Sequence, residues 1–187
     1  RAEVLILEGG LTGCLGKPVA AFDDFVEDLL RGDGIEPVRV SDIERRMLLD
    51  GVVGALRAEG ALDAIGSAGA TAGFQSHMMR VIAQLKQAAI EPQDFCDRVA
   101  RRPNPSPLDA IVAELYARYQ QALHNAGLYD VQGMFWVAHD LCSTHRPAAL
   151  DGIDTLVLDA FDDFTPSEFR LLTSIEAHLE RLVFGLH

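Results

Sequence analysis

The sequence predicts an α/β fold with a large helical insertion, mostly α overall, and three observations lead to it. Short apolar runs at 3–10 and 153–161 have the length and composition of strands. Between them, from about 41 to 150, apolar residues recur with the spacing of helices. A helical subdomain inserted into a parallel α/β domain produces this order of elements. We therefore expect 1–40 and 151–187 to form the α/β part and 41–150 to form the inserted helical subdomain.

The composition is that of an ordinary globular protein with an acidic balance of charge. The 187 residues are 49% hydrophobic and 24% charged, which provides enough apolar material for a core. The net charge of −12 argues against strong binding of this piece alone to a phosphate backbone, because nonspecific nucleic-acid affinity comes from lysine and arginine.

Cysteine usage and hydropathy bear on location. The three cysteines are far apart and form no CxxC pair, so we expect neither a zinc site nor a disulfide framework, and a cytoplasmic location is the default. No apolar run approaches the roughly 20 residues that span a bilayer, so no membrane contact is expected. The chain begins with Arg1 instead of methionine, and we expect it to be a piece of a longer protein.

The first predicted elements are a strand, a glycine-rich turn and a short helix. EVLILEGG at 3–10 is typical of a short buried strand. The turn at 9–18 differs from the phosphate-loop pattern G-x-x-x-x-G-K-[ST], because Leu11 stands at the first glycine and Pro18 at the hydroxyl residue. It is therefore predicted to be a turn without a phosphate. An amphipathic helix follows within 18–34.

The block between 41 and 150 is predicted to contain five helices. The signals are a capping box, two prolines at first turns, and apolar residues spaced by three and four positions. In chain order the predicted helices run from SDIE (41–44) to about Arg57, along the apolar stripe from Phe74 to Leu85 and on to Ala89, from Pro92, from Pro107 to a break at Gly127, and over VQGMFWVAHDLC (131–142).

The pattern changes near the end of the chain. IDTLVLDAF at 153–161 predicts a strand, and its uninterrupted TLVL favours burial on both faces, as in a parallel sheet. TPSE then combines a Thr165 cap, Pro166 at the first helical position and Glu168 three residues after the cap, which predicts the start of a helix. RLVFGLH is predicted to be the last strand.

One carboxylate, Asp159, follows the predicted strand directly. Open α/β folds bind ligands at the carboxyl ends of their strands, and in P-loop ATPases an aspartate there helps to hold Mg²⁺ while an acidic residue positions the attacking water. The next residue here is Ala160, which cannot polarise water. Spacing alone favours the other interpretation, in which Asp159 only ends the strand while Asp162 and Asp163 lie in a solvated loop before Thr165.

Four segments of the chain carry patterns that occur together in one family. They are VAAFDDFVEDLLR (19–31), FQSHMMRVIAQLKQAAIEPQDF (74–95), YQQALHNAGLYDVQGMFWVAHDLC (119–142) and LVLDAFDDFTPSEFRLL (156–172). In order, they resemble the TFHSF segment, two stretches of the inserted helical subdomain, and motif II of the UvrD/Rep-type superfamily-1 helicases. The resemblance covers about residues 18 to 186.

Departures from the helicase pattern narrow the resemblance. Ala160 stands in place of the catalytic glutamate of motif II and Asp162 in place of its glutamine. The threonine and histidine of the earlier segment become Ala21 and Asp23. With these changes the chain looks most like an AddB-type subunit of the AddAB helicase–nucleases, in which the helicase fold is degenerate.

The resemblance implies a fold, a function and partners. The ends would form a partial RecA-like sheet (domain 1A-like) and 41–150 a 1B-like subdomain. The parent would be an ATP-dependent helicase/exonuclease subunit in double-strand-break repair, acting on DNA with an AddA-like helicase subunit. Mg²⁺ and ATP would bind only in the full-length parent, at Asp159 as a degenerate Walker B residue, and this piece would carry no catalytic residue and no activity of its own.

Two alternatives stay open at this point. The first is an active superfamily-1 ATP-dependent DNA helicase domain whose water-positioning acid comes from elsewhere. The second is a helical protein-interaction module without a DNA role, which the net charge of −12 favours.

Overall fold

The computed structural model describes residues 19–159, 161 and 163–185. The predicted strand at 3–10 and the glycine-rich turn at 9–18 lie outside the described residues. Most of the described chain is helical, and its strands form two parallel sheets of two strands each. None of the described helices combines the length and the apolar character needed to cross a membrane.

The described part of the chain contains seven α-helices. The helices predicted from sequence are confirmed, and the second helix of the insertion ends at Gln87 and not at Ala89, where φ is 54°. In chain order they are α1 Phe22–Gly32, α2 Asp42–Ala58, α3 Ala72–Gln87, α4 Pro92–Ala100, α5 Pro107–Asn125, α6 Val131–Thr144 and α7 Pro166–Glu176.

Side-chain caps explain where several of these helices begin, among them the two for which the sequence predicts a capping box. At α2 the Ser41 hydroxyl accepts from the Glu44 amide, and the Glu44 carboxylate accepts from the Ser41 amide at 2.8 Å. At α7 Thr165 and Glu168 make the same reciprocal pair. Such boxes satisfy backbone donors that the first turn of a helix leaves without partners. Both predicted capping boxes are therefore confirmed.

The strands pair in parallel. β1 (Val38–Arg39) pairs with β2 (Leu128–Tyr129), and β3 (Thr155–Leu158) pairs with β4 (Arg181–Phe184). Parallel strands need a crossover, and α7 provides it between β3 and β4. The prediction of parallel strand pairing near the end of the chain is confirmed. β1 and β2 were not predicted, because two residues are too few to show a period.

The expectation that TLVL is buried on both faces is wrong. Leu158 is buried, whereas Val157, on the opposite face of β3, is 59% exposed. Its partner in register, Val183 on β4, is 43% exposed. An apolar run predicts that a strand is hydrophobic, but it does not show which faces of the strand are covered by other elements. On the other face, Leu156 of β3 packs against the hydrophobic cluster that contains Leu171 and Ile175 of α7.

Two hydrophobic clusters divide the interior. The first is built mainly from α2, α3 and α5 and includes Leu56, Met78 and Leu115. The second joins α1, α6 and α7 through residues such as Leu29, Phe135 and Leu171. Helix α6 lies within the range predicted for the insertion, yet its buried face packs with helices from the ends of the chain. The predicted domain limits stay a prediction.

Candidate functional site

Asp159 lies at the carboxyl end of β3, the position that the sequence predicts. Beside it, the Gly185 amide donates to the Leu158 carbonyl at 2.8 Å and continues the pairing of β4 with β3. A Cβ at Gly185 would stand 2.8 Å from Asp159 Oδ1, so a side chain there would displace the carboxylate. The exposed Asp159 carboxylate is therefore held close to the neighbouring backbone at the edge of the sheet.

The loop after Asp159 does not add a metal site within the described residues. The Asp163 carboxylate accepts from the Phe164 amide at 2.8 Å, so it shapes its own turn. Ala160 and Asp162 lie outside the described residues. In the described ranges no group of three or more histidine, cysteine, aspartate or glutamate side chains is placed to hold a metal ion. The described side chains therefore do not form a metal cage by themselves.

Four phenylalanines, here called the aromatic row, line this edge of the sheet: Phe22, Phe161, Phe164 and Phe184. Phe161 stacks on Phe164 with centroids 4.8 Å apart, and Phe164 meets Phe184 edge to face at 5.6 Å. Phe161 also contacts Phe22 of α1 at 5.7 Å. Pairs of this kind contribute about 0.5–1.5 kcal/mol each beyond the area that they bury. The row ties the loop after β3 to α1 and β4 and gives the edge an apolar character.

A second cluster of charged groups, which sequence reasoning missed, lies inside the helical block. Lys86 of α3 donates to both carboxylate oxygens of Asp130 at 2.6 and 2.8 Å, and to Gln120 Oε1 of α5 at 2.8 Å. Both charged side chains are buried: Lys86 is 1% exposed and Asp130 is 6% exposed. The available signal was that both residues belong to the segments that carry the helicase resemblance.

Asp130 has a second task at the start of α6. Its Oδ1 accepts from the Gly133 amide at 2.8 Å and so caps the helix. A Cβ at position 133 would lie 2.9 Å from that oxygen, which explains why glycine and not a larger residue occupies the position. Lys86 Nζ also lies 5.1 Å from the ring centroid of Trp136, within the range of a cation–π contact.

The electrostatics of the pair favour a structural role. Burial lowers the pKa of Lys86, and the facing Asp130 carboxylate opposes that change. A cavity of about 310 Å³ adjoins the pair, but the ammonium group is already occupied by Asp130 and Gln120. The cluster therefore joins α3, α5 and the start of α6, and the Lys86 ammonium is engaged in holding them together.

Comparison with known proteins adds no relative. No family model matches the chain, and no curated protein matches it at a significant level. The features that bear on function are therefore the four segments that carry the helicase resemblance and the geometry around Asp159.

Proposed function

We propose that the chain is a fragment of an AddB-like subunit of a helicase–nuclease that acts in double-strand-break repair and recombination. In this role it is a degenerate helicase-fold scaffold and one element of the channel for DNA. One observation carries the proposal: β3 ends at Asp159, the capped helix α7 follows, and β4 then pairs in parallel with β3. In this arrangement Ala160 stands at the sequence position of the catalytic glutamate.

The surroundings of Asp159 support a site that has lost hydrolysis. Positioning of the attacking water needs an acid or amide close to the γ-phosphate, and loss of one such transition-state group costs orders of magnitude in rate. The aromatic row adds phenyl rings at the same edge, and these offer no hydrogen bond to a phosphate. Mg²⁺ and ATP belong to this proposal only in the full-length parent, with Asp159 as the residue on the metal.

The helical block supports the same assignment. Two of its resemblance segments, around Lys86 and around Asp130, meet in the buried ion pair. The ion pair explains why a lysine in one segment occurs together with an aspartate in the other, since either residue alone would leave a buried charge uncompensated. The partners in the proposal are DNA, through the full-length protein, and an AddA-like helicase subunit in the cytoplasm.

The test measures DNA binding and ATP turnover separately, in this chain and in the full-length parent. Fluorescence anisotropy follows a labelled single-stranded oligonucleotide at low and high salt, and phosphate release follows ATP with Mg²⁺. We expect salt-dependent DNA binding and a rate of phosphate release equal to that of the matched Asp159→Ala variant.

Two results would contradict the proposal. Phosphate release that depends on DNA and disappears in Asp159→Ala would identify an active helicase domain. Absence of DNA binding by both proteins, even at low salt, would leave the helical protein-interaction module as the better account.

A further inference from the structure

A groove between α2 and α3 combines free positive charge with an apolar floor. Its volume is about 470 Å³. Leu49 and Met79 supply apolar surface, and Gln75 and Ser76 supply polar groups. Three arginines line it: Arg45 and Arg46 from α2 and Arg80 from α3.

Two of these arginines are not neutralised by a neighbouring carboxylate of the described chain. Within the described ranges Arg46 and Arg80 make no ion pair, and Arg80 only approaches the ring of His77 at 3.3 Å. By contrast, carboxylates pair with Arg31, Arg39, Arg101, Arg102 and Arg118. Arg46 and Arg80 therefore bring two guanidinium groups without ion-pair partners to one groove, in a chain whose net charge is −12.

The third arginine has donor capacity left over. Arg45 Nε is buried and has no hydrogen-bond partner among the described residues. Its guanidinium approaches Asp42 at 3.5 Å, beyond the range of a good hydrogen bond. Asp42 and Asp50 also line the groove, so three positive charges face two negative ones.

We propose that this groove binds the phosphodiester backbone of single-stranded DNA, an inference that rests on the proposed function. Planar guanidinium groups match phosphate oxygens and bind them through two hydrogen bonds. A groove of about 470 Å³ has the volume of a small-molecule site, so it can receive a short stretch of one strand but not a duplex. No aromatic side chain lines it, so bases would not stack there, and binding would be independent of sequence.

The experiment compares two double charge reversals in the full chain. Arg46→Glu with Arg80→Glu alters the groove, and Arg98→Glu with Arg101→Glu makes the same change in charge on α4, outside it. Anisotropy of a labelled oligothymidylate is measured over a series of salt concentrations, and thermal unfolding checks that both variants fold. We expect the groove variant to bind about tenfold more weakly or worse, and the α4 variant to stay within about twofold of the unmodified chain.

The salt dependence gives a second readout. Each phosphate contact in a single strand contributes a slope of about −0.7 to the plot of log K against log salt concentration. Loss of two contacts should therefore make the groove variant's slope shallower by about 1.4, while the α4 variant keeps the original slope. Inorganic phosphate at millimolar concentration should compete weakly, because it meets the arginines without the neighbouring phosphates of a strand.

The outcomes separate this inference from the proposed function. If the groove variant retains DNA binding, the inference that the groove binds DNA is wrong, and the proposed function is unaffected. Equal losses of DNA affinity in both variants would show a general effect of charge and would also contradict the inference about the groove. Full displacement of DNA by millimolar phosphate would contradict it as well. A chain and parent that bind no DNA at all would contradict the proposed function itself.

Discussion

At the scale of single residues, Lys86 and Asp130 form a buried ion pair inside the helical block. Burial of two charges costs several kcal/mol per ion, and the pair compensates for this only when further hydrogen bonds satisfy its atoms. Here Gln120 accepts from the ammonium and the Gly133 amide donates to the carboxylate. The pair is consequently sensitive to loss of either member.

We predict that Asp130→Ala lowers the free energy of unfolding by about 4 kcal/mol or more, since it leaves a buried ammonium and removes the cap of α6. Asp130→Asn keeps an oxygen able to cap, so it should be less harmful by about 1 kcal/mol. Urea denaturation measures all of these changes.

The pairing itself is tested by a double-mutant cycle of Lys86→Met and Asp130→Asn. The double variant should be more stable than the sum of the two single losses implies, by at least 1 kcal/mol. Strict additivity would show that the two groups do not depend on each other.

At the scale of elements, α2 contains two glycines that its packing does not require. Gly51 and Gly54 lie inside the helix, and a Cβ at either position would meet no atom within 4 Å. Glycine in a helix interior is less favourable than alanine because the unfolded chain gains conformational freedom. The capping box and the buried stripe therefore stabilise α2 despite these positions.

We predict that Gly51→Ala and Gly54→Ala each raise the free energy of unfolding by about 0.5–1 kcal/mol. The contrasting control is Gly127→Ala between α5 and β2, where φ is 65°, and it should lower stability by about 1–2 kcal/mol. Thermal unfolding of the three variants distinguishes these effects. A loss of stability at Gly51 or Gly54 would mean that another surface already contacts α2 there.

Elements with local signals could be predicted, and contacts between distant segments could not. The helices that begin at Asp42 and Pro166 were found because a cap and its partner lie within four residues. The pairing of Val38 with Leu128 depends on the fold of everything between them. Likewise, the position of Asp159 follows from the end of a strand, but the aromatic row depends on the approach of α1.

At the scale of the whole molecule, Asp33 links two distant parts of the chain that pack in the second hydrophobic cluster: the end of α1 and the segment after α6. One carboxylate oxygen contacts His145 Nε2 at 2.7 Å, and the other accepts from the Ala148 amide at 3.0 Å. These bonds fix the end of α1 against the segment that follows α6. The hydrogen bond to His145, followed by that to Ala148, lowers the pKa of Asp33 against the opposing effect of burial.

This lowered pKa sets the direction of a pH effect. A carboxyl group whose pKa is lower in the folded state contributes stability above its unfolded pKa, which is 3.8 for aspartate, and loses it as pH falls through the folded value. We predict that Asp33→Asn is less stable than the unmodified chain at pH 7 and that the difference shrinks below about pH 4. Thermal unfolding between pH 7 and pH 3 measures it.

The valine pair that β3 and β4 turn to solvent has a consequence for handling the protein. Val157 and Val183 lie side by side in register, and an exposed apolar strand surface attracts its counterpart on a second molecule. The net charge of −12 keeps molecules apart by mutual repulsion, and salt screens that repulsion over about 10 Å at 0.1 M. Dilute buffers of low ionic strength should therefore preserve a monodisperse sample, whereas concentrated saline would promote clustering.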